Sequence, residues 1–167
     1  MRKTFSNLLL EETKINSDLI VLTGDLGYKM WDDYREYFPN NFFNMGSAEQ
    51  LMIGTAIGLS YVGKIPICYS ITPFLLYRPF ELIRNYVNYE HTPIKLVGSG
   101  RDKEYEHDGI SHWAEDDEQI MSTFNNIKIW KPETLEELTA GFKEFIYSDY
   151  PYYLNLSKKI LNHENSL

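Results

Sequence analysis

Short apolar runs alternate along this 167-residue chain with longer stretches of helical periodicity, and that alternation narrows the fold more than any other feature. Leu19-Ile20-Val21-Leu22, Ile65–Ile71, Ile94–Val97, Ile127–Trp130 and Tyr152–Leu156 read as strands, with Asn41–Asn44 as a further short one. Runs this continuously apolar suit strands that are buried on both faces. Between them, helices are expected over Phe5–Lys14, Ala48–Tyr61, Phe74–Asn88, Trp113–Phe124 and Leu135–Tyr147. Tyr28–Tyr37 reads as a short helix or loop, and Gly98–Ile110 as a glycine- and charge-rich loop. Strand–helix alternation of this kind predicts an α/β fold of three layers, α-β-α, around a mostly parallel sheet. No repeat, linker or low-complexity tract divides the chain, so one domain is expected over 1–160, with a polar tail over 161–167. Open parallel sheets bind ligands beyond the carboxyl ends of their strands. Gly24-Asp25-Leu26-Gly27, Tyr69-Ser70 and the Gly98–His112 segment all fall at that end.

The segment Asn44–Ser60 places one carboxylate, Glu49, at the start of an otherwise apolar helix rich in small residues. Ser47 is the expected cap. Gly54 and Gly58, four apart, cost helix propensity, which close approach by another element would offset. Two readings of Glu49 stay open on the residues alone. An acid at a helix start gains from the dipole and can accept backbone hydrogen bonds. A buried carboxylate can instead hydrogen-bond a cofactor ring nitrogen and exchange a proton with it, burial raising its pKa toward that role. His112, in a glycine-bearing loop, is a candidate acid/base, with His107 as its competitor; either is equally readable as a surface histidine. Asp25 orients a partner group or caps a turn. Phe74 and Tyr77, three apart, form an aromatic shelf or face their own core.

Composition removes whole classes. With 24 acidic and 16 basic residues the net charge is −8, and no Lys/Arg block offers a footprint for nucleic acid or an anionic membrane. One cysteine, Cys68, excludes a disulfide framework and a zinc site, fits a reducing compartment and, lying in a strand, reads as buried and inert. Leu8-Leu9-Leu10 is too short for a signal-peptide core, and no run approaches a membrane span, so a cytoplasmic protein is expected. There is no Walker A, no complete G-x-G-x-x-G and no G-x-S-x-G. Thirteen tyrosines, nine phenylalanines and three tryptophans fit either an extensive interface or a core of large side chains.

Three blocks in order, Gly24-Asp25-Leu26-Gly27, Phe42–Gln50 and Asp108-Gly109-Ile110-Ser111-His112, resemble the pyrimidine-binding domain of transketolases, and in particular the small second subunit of split transketolases. The resemblance runs from Leu19 to Pro132, and more loosely to Leu156. It implies thiamine diphosphate as cofactor. Glu49 matches the glutamate that contacts and activates its aminopyrimidine, Phe74 and Tyr77 match aromatics packed around that ring, and Asp25 matches an aspartate near the site. His112 matches a histidine that handles protons and oxygens of the sugar, with His107 and Lys29 as further substrate-binding candidates. Nothing in these 167 residues resembles the family's diphosphate- and metal-binding G-D-G motif, and the resemblance does not extend to its third domain. The resemblance therefore implies half of a composite site, the rest coming from a separate diphosphate-binding subunit that also holds the divalent metal, Mg or Ca. Two copies of each subunit would form a heterotetramer acting on a sugar or sugar phosphate.

Three departures touch the substrate. Ser47 stands where the family commonly has isoleucine, Gly100 where many members have a phosphate-binding histidine, and Lys29 where a serine is usual. The acidic insert Asp102–Asp108 also favours some change of substrate. The expected activity is transfer of a two-carbon ketol unit from a ketose to an aldehyde. The alternatives are a subunit of a 2-oxo acid decarboxylase or lyase on the same cofactor, and a non-catalytic partner that stabilises a diphosphate-binding subunit.

Overall fold

Every strand of the sheet is parallel to its neighbours in the computed structural model, which describes residues 1–158. The elements run α1 (Arg2–Thr13), β1 (Leu19–Thr23), α2 (Asp32–Tyr37), β2 (Phe42–Asn44), α3 (Glu49–Tyr61), β3 (Ile65–Ile71), α4 (Thr72–Tyr77), α5 (Phe80–Leu82), β4 (Lys95–Ser99), α6 (Asp117–Met121), β5 (Lys128–Trp130), α7 (Leu135–Tyr147) and β6 (Tyr152–Leu156). The sheet order is β2-β1-β3-β4-β6-β5. From β1 the chain steps outward to β2, then returns across β1 to β3, so a crevice opens where the ends of β1 and β3 diverge.

The period of two in β1 divides the core. Leu19 and Val21 join Phe5, Leu9, Phe142 and Phe145 under α1 and α7. Ile20 and Leu22 join Met52, Ile53, Ala56 and Leu76 under α3 and α4. The three-layer expectation holds. Much of the aromatic excess sits inside: Phe5 meets Trp31, Phe142 and Phe145 edge-on. Six tyrosines stay exposed: Tyr28, Tyr37, Tyr61, Tyr89, Tyr147 and Tyr150. Cys68 is buried as expected, its thiol pKa pushed far up by desolvation. Glu12, on the inner side of α1, is satisfied by the Tyr147 hydroxyl, which donates to it at 2.7 Å.

Several local expectations need correction. Ser47 does not cap α3; Ala48 is the N-cap, and no side chain caps it. The helix expected over Phe74–Asn88 is broken. Pro79, which has no N–H to give, separates α4 from α5, and the chain continues as a π-helical segment over Ile83–Tyr89. Of Trp113–Phe124 only Asp117–Met121 is α-helical, because Ala114 donates its N–H to the Asp102 carbonyl at 2.7 Å and holds that stretch extended. Gly98 and Ser99 belong to β4, and the loop after them carries two short 3-10 turns, Glu106–Asp108 and Ile110–His112. A Cβ on Gly54 would stand 3.8 Å from Leu82 Cδ1, while one on Gly58 would have nothing within 4 Å among the described residues. The polar tail lies outside the described residues. Among those described, no helix is long and apolar enough to cross a membrane.

Candidate functional site

Glu49 is the first residue of α3 and is 1% exposed. Its carboxylate is not spent on capping its helix. Ser70, near the end of β3, donates its hydroxyl to Oε1 at 2.8 Å, and Arg78 donates from Nη1 to Oε2 at 2.6 Å. Gly24, just past β1, makes room: a Cβ there would stand 2.8 Å from Oε1 and 2.9 Å from Ser70 Oγ. The carboxylate thus sits in the crevice between β1 and β3, fixed by one oxygen to the scaffold and by the other to a side chain that is 43% exposed. Breaking a fully buried ion pair costs about 3–5 kcal/mol, and the exposure of Arg78 puts this pair below that range.

Phe74 continues the wall. The Arg78 guanidinium lies 3.9 Å above its ring, and the His112 ring meets it edge-on at 4.8 Å. His112 is half-buried, its Nδ1 is 3.0 Å from Ser111 Oγ, and Tyr105 stands 6.2 Å away, ring to ring. Glu49, Phe74 and His112, separated by up to 63 positions in sequence, are therefore brought into one contiguous surface through Arg78. Tyr77 is engaged elsewhere. Its hydroxyl donates to Asp116 at 2.5 Å, and burial, followed by that carboxylate, drives its pKa well above the ordinary phenol range.

The other expected residues lie around the rim. Asp25 has φ +57° and is held by Asn44, whose side-chain amide donates to Asp25 Oδ1 at 2.8 Å and accepts the Asp25 N–H at 3.1 Å. Lys29 lines a cavity of about 720 Å³ together with Arg2, Lys3, Lys158, Ile71 and Tyr105. Arg2 donates to Ser99 at 3.4 Å and to Tyr105 at 3.3 Å, and the Lys158 ammonium sits 3.8 Å over the Tyr105 ring. Tyr105 joins this cationic cavity to His112. His107 is exposed on the Glu106–Asp108 turn, away from any described hydrogen bond. Among the described residues, no group of three or more His, Cys, Asp or Glu is arranged to hold a metal ion.

The loop that carries His112 rests on a buried polar network. The Arg101 guanidinium donates to Asn155, to the Pro132 carbonyl and to Glu133. The Asn155 amide donates to Asp117 at 2.7 Å, as does the Tyr153 hydroxyl at 2.5 Å, and Thr72 donates to the Gly100 carbonyl at 2.8 Å. These bonds tie the start of the loop to β6 and to the turn before α7.

Arg78, Arg2 and Lys158 lie at the candidate site without being marked by the sequence, and Ser70 lies there with them. Only Ser70 carried a signal, its place at a strand end beside Tyr69; the others reach the site through long side chains from elements far apart in the chain.

Comparison with known proteins gives the family and the fold. A family model described as the transketolase pyrimidine-binding domain matches residues 1–164. A 6-deoxy-6-sulfo-D-fructose transketolase subunit of a Clostridium species is 29% identical over 160 residues, which is 95% of this chain and 50% of that protein. An apulose-4-phosphate transketolase subunit of Actinobacillus succinogenes is 33% identical over 124 residues, 74% of this chain and 40% of that one. Among solved structures, a split-gene transketolase in the form of an inactive β4 tetramer superposes with a TM-score of 0.85 at 31% identity, over 99% of this chain and 53% of the other. The chain thus spans about half the length, or less, of these relatives.

Proposed function

The chain belongs to the transketolase pyrimidine-binding domain family, and on that premise we propose that it is the pyrimidine-binding half of a two-subunit, thiamine-diphosphate-dependent enzyme that moves a two-carbon ketol unit from a ketose to an aldehyde. The observation that carries this reading is the Glu49 carboxylate, 1% exposed, anchored by Ser70 through one oxygen and turned toward the Phe74 wall through the other.

The residues fit the cofactor's pyrimidine end. Glu49 presents Oε2 to a ring nitrogen and trades a proton with it, and Ser70 keeps Oε1 occupied so that a single oxygen does this work. Gly24 keeps the crevice open, and Phe74 offers a flat apolar face. When bound, the cofactor supplies the electron sink that lets the carbon–carbon bond beside a ketone break. His112 takes and returns protons at the sugar oxygens, its Nδ1 oriented by Ser111. Asp25, held by Asn44, shapes the rim, and Tyr77 flanks the pyrimidine side while tied to Asp116. We assign the diphosphate and its Mg or Ca ion to a separate subunit, in a heterotetramer of two copies each. In support of a need for that partner, the split-gene relative that assembles from four copies of its β chain is described as inactive. A reduced, buried cysteine fits a cytoplasmic site for this assembly.

The cationic cavity lined by Arg2, Lys3, Lys29 and Lys158 receives the anionic end of the sugar, a phosphate or a sulfonate. The two relatives named for apulose 4-phosphate and 6-deoxy-6-sulfo-fructose would each present such a group. Lys29, with His107 further out, takes the place of the family's phosphate contacts as a point charge.

The test is Glu49→Gln in the complex reconstituted with a diphosphate-binding subunit. The substitution preserves shape and is expected to lower ketol transfer by about 10²–10⁴-fold, the usual span for a lost acid/base. Turnover close to wild type would remove the proton role from Glu49.

A further inference from the structure

We propose that Arg78 is a built-in stand-in for the cofactor ring: in the free chain its guanidinium occupies both the carboxylate oxygen and the aromatic face that the ring takes on binding, and it must leave before the ring can enter. The inference rests on the reading of Glu49 given above. Arg78 Nη1 is 2.6 Å from Glu49 Oε2, and the guanidinium carbon is 3.9 Å from the centre of the Phe74 ring. A guanidinium is planar and cationic, and its N–H groups lie in its plane. A protonated aminopyrimidine has the same three properties, and they are the ones a buried carboxylate beside an aromatic face selects. The two therefore compete for one place.

The arm is also placed to move. Among the described residues its hydrogen bonding is to Glu49 alone, and the side chain is 43% exposed, so its way out is open to solvent. It follows the last residue of α4 and precedes Pro79, at the break between two helices, where a change of backbone angle unwinds neither. While the crevice is vacant, Arg78 spares a 1% exposed carboxylate from standing uncompensated. The apparent affinity for the ring is then the intrinsic affinity multiplied by the fraction of molecules in which the arm is off.

The experiment uses the complex with the diphosphate-binding subunit. Thiamine diphosphate with Mg²⁺ is titrated into wild type, Arg78→Met and Arg78→Lys by calorimetry, and melting temperatures are recorded with and without it. Arg78→Met is expected to bind about three- to tenfold more tightly. Its unloaded complex should melt below the wild type, while the loaded complexes should melt together. Arg78→Lys retains the charge without the flat stack, so it stays folded and should bind between the two. Weaker or unchanged binding in both variants would overturn the proposal and make Arg78 a clamp or a bystander. A wild-type complex that binds no thiamine diphosphate would have a different signature, with no heat and no thermal shift in any variant, and would overturn the cofactor reading together with this one.

Discussion

Gly24 faces the Glu49 carboxylate so closely that a methyl group on its α-carbon would stand 2.8 Å from Oε1. The oxygen cannot retreat, because Ser70 holds it at 2.8 Å. Gly24→Ala is therefore expected to destabilise the fold by about 1–3 kcal/mol, the usual cost of overpacking, and to abolish thiamine diphosphate binding in the complex. Urea titration gives the first quantity and calorimetry the second. Wild-type values in both would show that the crevice has slack the geometry does not reveal.

Lys95 makes stability depend on pH at the end of the sheet opposite the site. Its side chain is 1% exposed, and its ammonium donates to the carbonyls of Ser148 at 2.6 Å and Tyr150 at 2.8 Å, just past α7. Burial lowers its pKa to about 7, with Asp149 opposing and Lys128 assisting. Between that value and the ordinary 10.5 the unfolded chain binds more protons, so stability should rise with pH across this window. The slope has a ceiling of about 1.4 kcal/mol per pH unit, reduced by the carbonyls that favour the charged form. Urea unfolding of wild type and Lys95→Met at pH 6.5, 8 and 9.5 would show the rise in the former only. Parallel profiles would mean that the carbonyls outweigh desolvation.

A substitution at Lys29 would separate the proposed substrate binding from folding. It holds φ +62°, a conformation that favours glycine. Lys29→Gly should leave the melting temperature of the complex equal or slightly higher. It should also raise KM for a phosphorylated or sulfonated sugar by about three- to tenfold, as loss of one partly exposed charge contact implies, with little change for an uncharged ketose. Equal effects on charged and uncharged sugars would detach the cavity from anion recognition.

Sheet strands were legible because each is a run of apolar residues, and Glu49 stood out because nothing else in the first turns of α3 is charged. His112 was singled out by its motif, and Phe74 by its likeness to a family aromatic. The partners of Glu49 were not: Ser70 lies 21 positions away and Arg78 lies 29, and no local period encodes a contact made across a sheet crossover. The broken helix was a different failure. Phe80, Ile83 and Val87 keep helical spacing after Pro79, and reading that period back to Phe74 passed over a break that the proline announces. Ser47 suited a cap by residue type, but the backbone enters α3 one residue later, at Ala48.

All of the strand pairings are parallel, so no tight hairpin joins two partners and every pairing must wait for a crossover to close. Two helices far apart in sequence meet late as well: α1 packs on α7, and the bond from Tyr147 to Glu12 closes a separation of 135 positions. During synthesis, Phe5 and Leu9 emerge well before Phe142 and Phe145, and they lack that part of their cover until α7 has followed them out. The chain should fold slowly and in one late step, and it should depend on chaperones over the interval in which most of its sheet has been made and has nothing to close against.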